Sequence, residues 1–279
     1  MNIPASVQTV ILTGSRSSHS SLLHRFGASS KAMLPLLGQS LVSHILSMLR
    51  STDGNFQVAI SGDDEQTRRF AEMEGLTYLP SGNSAVDSIH KALAHSSSAA
   101  QVLFISGDHP LLTSEMVKYF IQKAAQRRLA LALAVVPRRI ITEQYPQSRR
   151  TYVRFKGEAY SGGNLIYIDR ESFRENPAFM EAIERYRKAP WRYPFLFDPV
   201  TMVRLLLRRL DLQQVSNMVS RQLGCDVGAI EMPFAECAMD VDSSLDLILA
   251  EQVLKQRFRS GSLNIKAGGT EENRCLISC

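Results

Sequence analysis

Residues 10–46 read VILTGSRSSHSSLLHRFGASSKAMLPLLGQSLVSHIL. The apolar run Val10-Ile11-Leu12 stops at Thr13-Gly14-Ser15, and a loop rich in Ser, His and Gly continues to Lys31. An apolar run bounded by turn residues predicts a strand, here followed by a long loop. From Ser40 the residues Leu41, Val42, Ile45, Leu46 and Leu49 recur at helical spacing, ahead of a turn at Asp53-Gly54 and an apolar stretch Phe56–Ile60. Strand, helix and strand in that order make one βαβ unit.

Outward from this unit the alternation repeats. Helices are expected over Glu65–Met73, Ala85–Ala94 and Glu115–Gln126, and strands over Thr77–Leu79, Val102–Ile105 and Leu129–Val136. Strands interleaved with helices predict an α/β fold with a mostly parallel central sheet. The all-apolar Leu129–Val136 reads as a strand buried on both faces. Pro137–Arg150, with five arginine or acidic charges and Pro146, reads as an excursion from the sheet. Strands over Tyr152–Phe155 and Leu165–Ile168 are expected to flank the Gly-rich Ser161-Gly162-Gly163-Asn164. Residues 171–222 turn helical and predict a cap, with Leu205, Leu206, Leu207 and Leu210 among arginines. Val227–Ile230 and an edge at Met239–Asp242 return to the sheet, and a helix over Ser243–Gln256 closes the domain, expected to span 1–257. Residues 258–279 carry no periodicity and are expected to form a flexible tail.

The 279 residues include 44% hydrophobic and 21% charged side chains, which excludes disordered and collagen-like classes. Lys and Arg outnumber Asp and Glu by 32 to 27, a mild excess that suits an anionic small ligand better than a nucleic acid, whose usual aromatic interleaving is sparse here. No apolar run approaches the roughly 20 residues of a membrane span, and no signal-type segment opens the chain, so a cytoplasmic protein without membrane contact is expected. Cys225, Cys237, Cys275 and Cys279 show no metal-ligand spacing and read as reduced thiols.

Three segments carry chemistry. The backbone N–H groups of the Gly14-Ser15 loop could line a phosphate, with Lys31 and Arg16 as cations, although a solvated surface loop has the same composition. Asp108 stands at the C-terminal end of a predicted parallel strand, the edge where open α/β sheets bind ligands, and a carboxylate there either holds Mg²⁺ or caps the turn. His109 beside it either reaches a ligand or packs into the turn. Asp240-Val241-Asp242 offers two carboxylates: one can be a second metal ligand, Asp242 can equally cap the closing helix, and Asp246 adds a first-turn charge.

In this order the segments resemble nucleotidyltransferases of the molybdenum-cofactor guanylyltransferase-like superfamily. The family's L-A-G-G loop corresponds to Leu12-Thr13-Gly14-Ser15, and its K-x-L-x-x-x-x-G-x-P-L to Lys31-Ala32-Met33-Leu34-Pro35-Leu36-Leu37-Gly38-Gln39-Ser40-Leu41. Its D-x-P-L-L-T is matched by Asp108–Thr113, and its D-V-D-T-P-E-D-L by Asp240–Leu247. The resemblance implies a Rossmann-like three-layer sandwich that binds an NTP, GTP or CTP foremost, with Mg²⁺, and transfers NMP to a phosphorylated small-molecule acceptor with release of pyrophosphate. It implies Lys31 on the triphosphate, where Arg16 is expected to join it, Leu12, Gly14 and Ser15 along the nucleotide, and Asp108 and Asp242 on the metal. Ser81-Gly82-Asn83 would contact the base, and Gly162, Gly163 and Asn164 would line the acceptor side; Lys188, within the basic stretch Arg185–Arg192, either reaches the acceptor phosphate or belongs to a solvated helix end. The pattern is departed from at Ser15, Gln39-Ser40 and Ser244-Leu245. Ser15 and the thin glycine content of the loop keep a nucleotide sensor without turnover in play, and the D-x-D spelling of Asp240-Val241-Asp242 a nucleotide-sugar glycosyltransferase of similar fold.

Overall fold

The computed structural model describes residues 7–14, 21–54, 56–95, 100–174, 201, 203–204 and 207–260. At its centre lies β1 (Val7–Leu12), where Val10 and Ile11 are fully buried on opposite faces. A strand covered on both sides has no wet face, so its sequence is continuously apolar. The chain then passes α1 (Ser21–Phe26), a 3₁₀ turn (Lys31–Met33) and a small ribbon of β2 (Pro35–Leu36) with β3 (Gln39–Ser40). In α2 (Leu41–Ser51) the predicted stripe Leu41, Val42, Ile45, Leu46 and Leu49 is buried, and the Ser40 hydroxyl caps the helix by accepting from Ser43 N–H at 3.3 Å.

The alternation continues through β4 (Phe56–Gly62), α3 (Glu65–Met73), β5 (Thr77–Pro80), α4 (Ala85–His95), β6 (Gln101–Ser106), α5 (Ser114–Gln126) and β7 (Leu131–Pro137). After α6 (Arg138–Gln144), β8 (Val153–Arg154), β9 (Ala159–Asp169) and α7 (Arg170–Arg174) come α8 (Leu212–Leu223), β10 (Val227–Glu231) and α9 (Ser244–Arg259). The sheet runs β10-β7-β9-β6-β1-β4-β5, with β8 paired to β9. β6, β1, β4 and β5 are mutually parallel, as are β7 and β10, while β9 is antiparallel to both β6 and β7. Chain order reverses at β1, which goes outward to β4 and β5 and then crosses to β6. Such a switch point opens a crevice beyond the C-terminal strand ends.

Alternate residues of each strand feed two cores. Ile11, Ile60, Leu103 and Ile105 pack on one face with α2, α5 and α9, while Val10, Ala59, Val102 and Phe104 pack on the other with α4, α8 and β10. This is the expected three-layer α/β arrangement with a mostly parallel sheet.

Several local expectations change. The Gly-rich Ser161–Asn164 is not a loop between strands but the interior of β9, because Gly163 lies so close to β7 that a Cβ would fall 2.6 Å from that of Ala134. β7 is not buried on both faces: Leu133 is 41% exposed and the register shifts between Leu133 and Val135. The loop before Lys31 contains α1, and the excursion after β7 contains α6. Met239–Asp242 forms no strand and follows a 3₁₀ turn at Ala235–Ala238. Ser243, not Asp242, caps α9, and that helix reaches Arg259, two residues into the expected tail. α8 falls in the expected cap, while Leu205, Leu206, Lys188 and residues 261–279 lie outside the described residues.

Candidate active site

Gly107 is where the first two segments of the site meet. A Cβ there would stand 2.9 Å from Thr13 Cγ2, 3.0 Å from Ala32 Cβ and 3.0 Å from the Leu12 carbonyl oxygen. Its N–H donates to that carbonyl at 2.8 Å, continuing the β1–β6 ladder beyond the strand end. The Lys31 turn is held from both sides. Ala32 and Leu34 are buried, and Gln66 of α3 donates to the Gly27 carbonyl at 3.0 Å and accepts from Ser29 N–H at 2.9 Å. The third segment arrives through the backbone: Val241 N–H donates to the Asp108 carbonyl at 3.0 Å, which leaves Asp240 and Asp242 flanking the Asp108 turn.

The outcome is a cluster of charge. Oxygens of Asp108, Asp240 and Asp242 lie within 4.8 Å of one another. The Lys31 ammonium hydrogen-bonds Asp242 and stands 3.7 Å from Asp108. Burial alone lowers the Lys31 pKa, but the Asp242 hydrogen bond and the fields of Asp108, Asp242 and Asp240 outweigh it and leave the group raised. Asp240 is pushed up to about 6 by burial first and then by the two neighbouring carboxylates, against the pull of Arg150. Clustered hard oxygen donors with unmet negative charge fit a divalent cation such as Mg²⁺ or Mn²⁺. Sequence reading weighed Asp240 beside Asp242 without choosing it, and the clue was the one-residue spacing of an extended Asp-Val-Asp.

The expected base loop is adjacent. Gly14 lies against Ser81, whose hydroxyl would be 3.3 Å from an added Cβ, and Ser81 N–H continues the β4–β5 ladder by donating to the Gly62 carbonyl at 2.8 Å. Two N–H groups of this loop are spent internally: Gly82 donates to Ser88 Oγ and Asn83 to Asp87 Oδ2, each at 2.9 Å. Gly82 cannot carry a side chain, because its Cβ would lie 2.5 Å from the Asp87 carboxyl. The Ser81 carbonyl is engaged as well, accepting from Lys91 Nζ at 3.0 Å, and the Asn83 side chain is exposed.

Leu12 ends β1 at this edge with Gly14 two residues beyond it, and Asn164, held at φ 55°, follows the pairing of Leu165 with Ile105 and so lies beside the end of β6. Gly162 faces open space, whereas Gly163 is small for packing against β7. Ser15, Arg16 and Lys188 lie outside the described residues. His109 is fully buried and pushed down to about 3, by desolvation first and Arg150 next, so it is a neutral packed residue of the turn. A groove of 430 Å³ opens between residues 144–149 and α9, lined in part by Tyr145, Ser148, Arg149, Asp246 and Ile248. Neither Lys31 nor the three carboxylates line it. Among the described residues no helix is long and apolar enough to cross a membrane.

Residues 9–221 match the family described as MobA-like NTP transferase domain. The chain belongs to that family. The match stops short of Asp240 and Asp242, so their place in this NTP transferase domain is known from the fold. A transferase structure from Thermus thermophilus, described as hypothetical, is 28% identical with a TM-score of 0.71, over 87% of this chain and 99% of that one. CMP:2-keto-3-deoxy-manno-octonic acid synthetase in complex with CTP shares the fold at 14% identity and a TM-score of 0.56, over 90% and 99% of the two chains. So does 4-diphosphocytidyl-2C-methyl-D-erythritol synthase from Anaerococcus prevotii, at 10% identity and 0.54, over 89% and 96%. The bifunctional protein GlmU of Stutzerimonas stutzeri is 30% identical over 104 residues, which span 36% of this NTP transferase chain and 23% of that protein.

Proposed function

We propose that the chain is a nucleotidyltransferase that moves NMP from an NTP to a phosphorylated small-molecule acceptor, releasing pyrophosphate. One observation carries this reading: Lys31 and the carboxylates of Asp108, Asp240 and Asp242, from widely separated segments, converge at the C-terminal edge of the sheet. An acceptor phosphate oxygen attacks the α-phosphorus in line. A new P–O bond forms as the bond to the bridging oxygen breaks, and pyrophosphate leaves with that electron pair. Negative charge builds on the phosphoryl oxygens, so fixed cations supply most of the acceleration. Lys31 is placed for that work, and Arg16 joins it as the second cation of the triphosphate site. Mg²⁺ held by Asp108, Asp240 and Asp242 would supply Lewis-acid neutralisation of the triphosphate.

Leu12, Gly14 and Ser15 line the nucleotide. Ser81, Gly82 and Asn83 face the base, and a loop whose N–H groups are already engaged suits a base bearing an exocyclic amino group. Cytosine, guanine and adenine all carry one; among them CTP is favoured by the synthetase of similar fold in complex with CTP, and GTP by the guanylyltransferase-like resemblance. Gly162, Asn164 and Lys188 are assigned to the acceptor side.

Thermal-shift measurements with each NTP and Mg²⁺ test the reading, since a ligand at about 100 times its Kd adds about 2.7 kcal/mol. CTP or GTP is expected to raise the melting temperature, and a screen of phosphorylated acceptors is then expected to reveal pyrophosphate release. No shift with any nucleotide overturns the reading. A shift with no release from any acceptor points instead to a nucleotide sensor.

A further inference from the structure

Arg150 has no role in the chemistry above, yet its side chain is only 5% exposed beside the carboxylate cluster. All three of its nitrogens donate. Nη1 donates to Asp240 Oδ1 at 2.7 Å and to the Asp240 carbonyl at 2.9 Å, Nη2 donates to Asp246 Oδ1 at 2.5 Å, and Nε donates to Ser148 Oγ at 3.0 Å. The other Asp246 oxygen accepts from Ser243 N–H at 2.9 Å, Ser243 Oγ at 2.6 Å and Asp242 N–H at 3.3 Å. One guanidinium thus grips the turn at both ends: directly at Asp240, and through Asp246 at the backbone of Asp242.

We propose that Arg150 is the positioning residue of the metal site, holding Asp240 and Asp242 in the arrangement that lets them bind a divalent cation together with Asp108. The inference rests on the metal-dependent reading above. Two cations face this cluster and their situations differ. Lys31 has a flexible stem and is called on by the triphosphate, so it leaves the carboxylates during binding. Arg150, buried and bonded to four acceptors, stays. It keeps mutually repelling carboxylates together before the metal arrives, and it stops Asp240 from rotating away. A planar fork that spans two carboxylates is not replaced by a single ammonium.

The test is Mn²⁺ binding to the full chain, followed by the electron paramagnetic resonance of free Mn²⁺, with CTP and GTP binding in the absence of metal measured alongside. Groups that orient metal ligands typically cost about 10- to 100-fold in affinity when removed. Arg150→Ala is expected to weaken Mn²⁺ binding by that factor and to leave metal-free nucleotide binding within about twofold, and Arg150→Lys is expected to restore only part. Circular dichroism establishes that each variant is folded. Should Arg150→Ala not fold, Asp246→Asn keeps a cap acceptor while removing one anchor of the fork, and is expected to weaken Mn²⁺ severalfold. Wild-type Mn²⁺ affinity in folded Arg150→Ala, or in Asp246→Asn when that stands in for it, overturns the proposal, as does an equal loss of metal-free nucleotide binding. A wild-type chain that takes up no Mn²⁺ overturns the metal reading and this proposal together. Mn²⁺ uptake with no nucleotide binding, whether metal is present or absent, overturns only the nucleotidyltransferase reading.

Discussion

Lys31 sits where its charge can be read twice. Its ammonium pairs with Asp242 and stands 3.7 Å from Asp108, and the same group is assigned to the triphosphate during turnover. Lys31→Ala is therefore expected to tighten Mn²⁺ binding in the absence of nucleotide, because a competing cation is gone. The same variant should lower pyrophosphate release by about 10²-fold or more, as should Asp108→Ala. Titration with Mn²⁺ and a coupled pyrophosphate assay check the two halves, and unchanged release in both variants would remove these residues from the chemistry. Cys225 makes a different residue-level prediction. Its half-buried thiol is pushed up to about 11, by burial first and the Asp226 charge next. The thiolate is the reactive form, and at pH 8 only on the order of 1 in 1,000 of these groups is ionised at any moment, so alkylation is slow. Its alkylation rate, followed by mass spectrometry of the Cys225 peptide, should rise about tenfold per pH unit up to about pH 11. A plateau near pH 9 would refute the assigned burial.

At the scale of elements, the site is a junction of turns rather than a set of side chains. Gly107→Ala would push a methyl group against Thr13, Ala32 and the Leu12 carbonyl, none of them the free end of a flexible chain. Overpacking of this kind costs about 1–3 kcal/mol. The variant is expected to lose that much in urea unfolding and, by displacing the Lys31 turn, to lose nucleotide affinity too; full stability and affinity would show that the junction yields. The elements themselves were largely legible in the sequence. The apolar period of α2 and the continuous apolar run of β1 identify them directly. β9 was misread because glycine carries no periodicity, so Gly162-Gly163 looks like a loop until β7 is seen packed against it. α1 was missed because its six residues, SLLHRF, bury only Leu22 and Leu23, too short a stripe to reveal a period.

At the scale of the whole molecule, one sheet separates two cores. Ile105 belongs to one and Ile168 to the other. Removing one methylene at each site costs about 0.5–1.5 kcal/mol, and substitutions without shared partners add. Ile105→Val and Ile168→Val are expected to shift urea unfolding independently, with the double variant equal to the sum within about 0.5 kcal/mol. A larger discrepancy would mean that the two faces communicate through the sheet.

The chain's sequence determined the α/β alternation, the buried β1, the apolar face of α2 and the identities of Lys31, Asp108 and Asp242 as candidates, because apolar period and motif spelling are local properties. Only the tertiary structure decided that Asp240 completes the carboxylate cluster, that Asp87 and Ser88 consume the N–H groups of Asn83 and Gly82, and that Arg150 clamps the turn carrying Asp240 and Asp242. Arg150 lies 90 residues from Asp240, and Asp240 lies 132 from Asp108. Contacts across such separations depend on the order and direction of strands, which set which loops meet at one edge and leave no periodic trace in the chain.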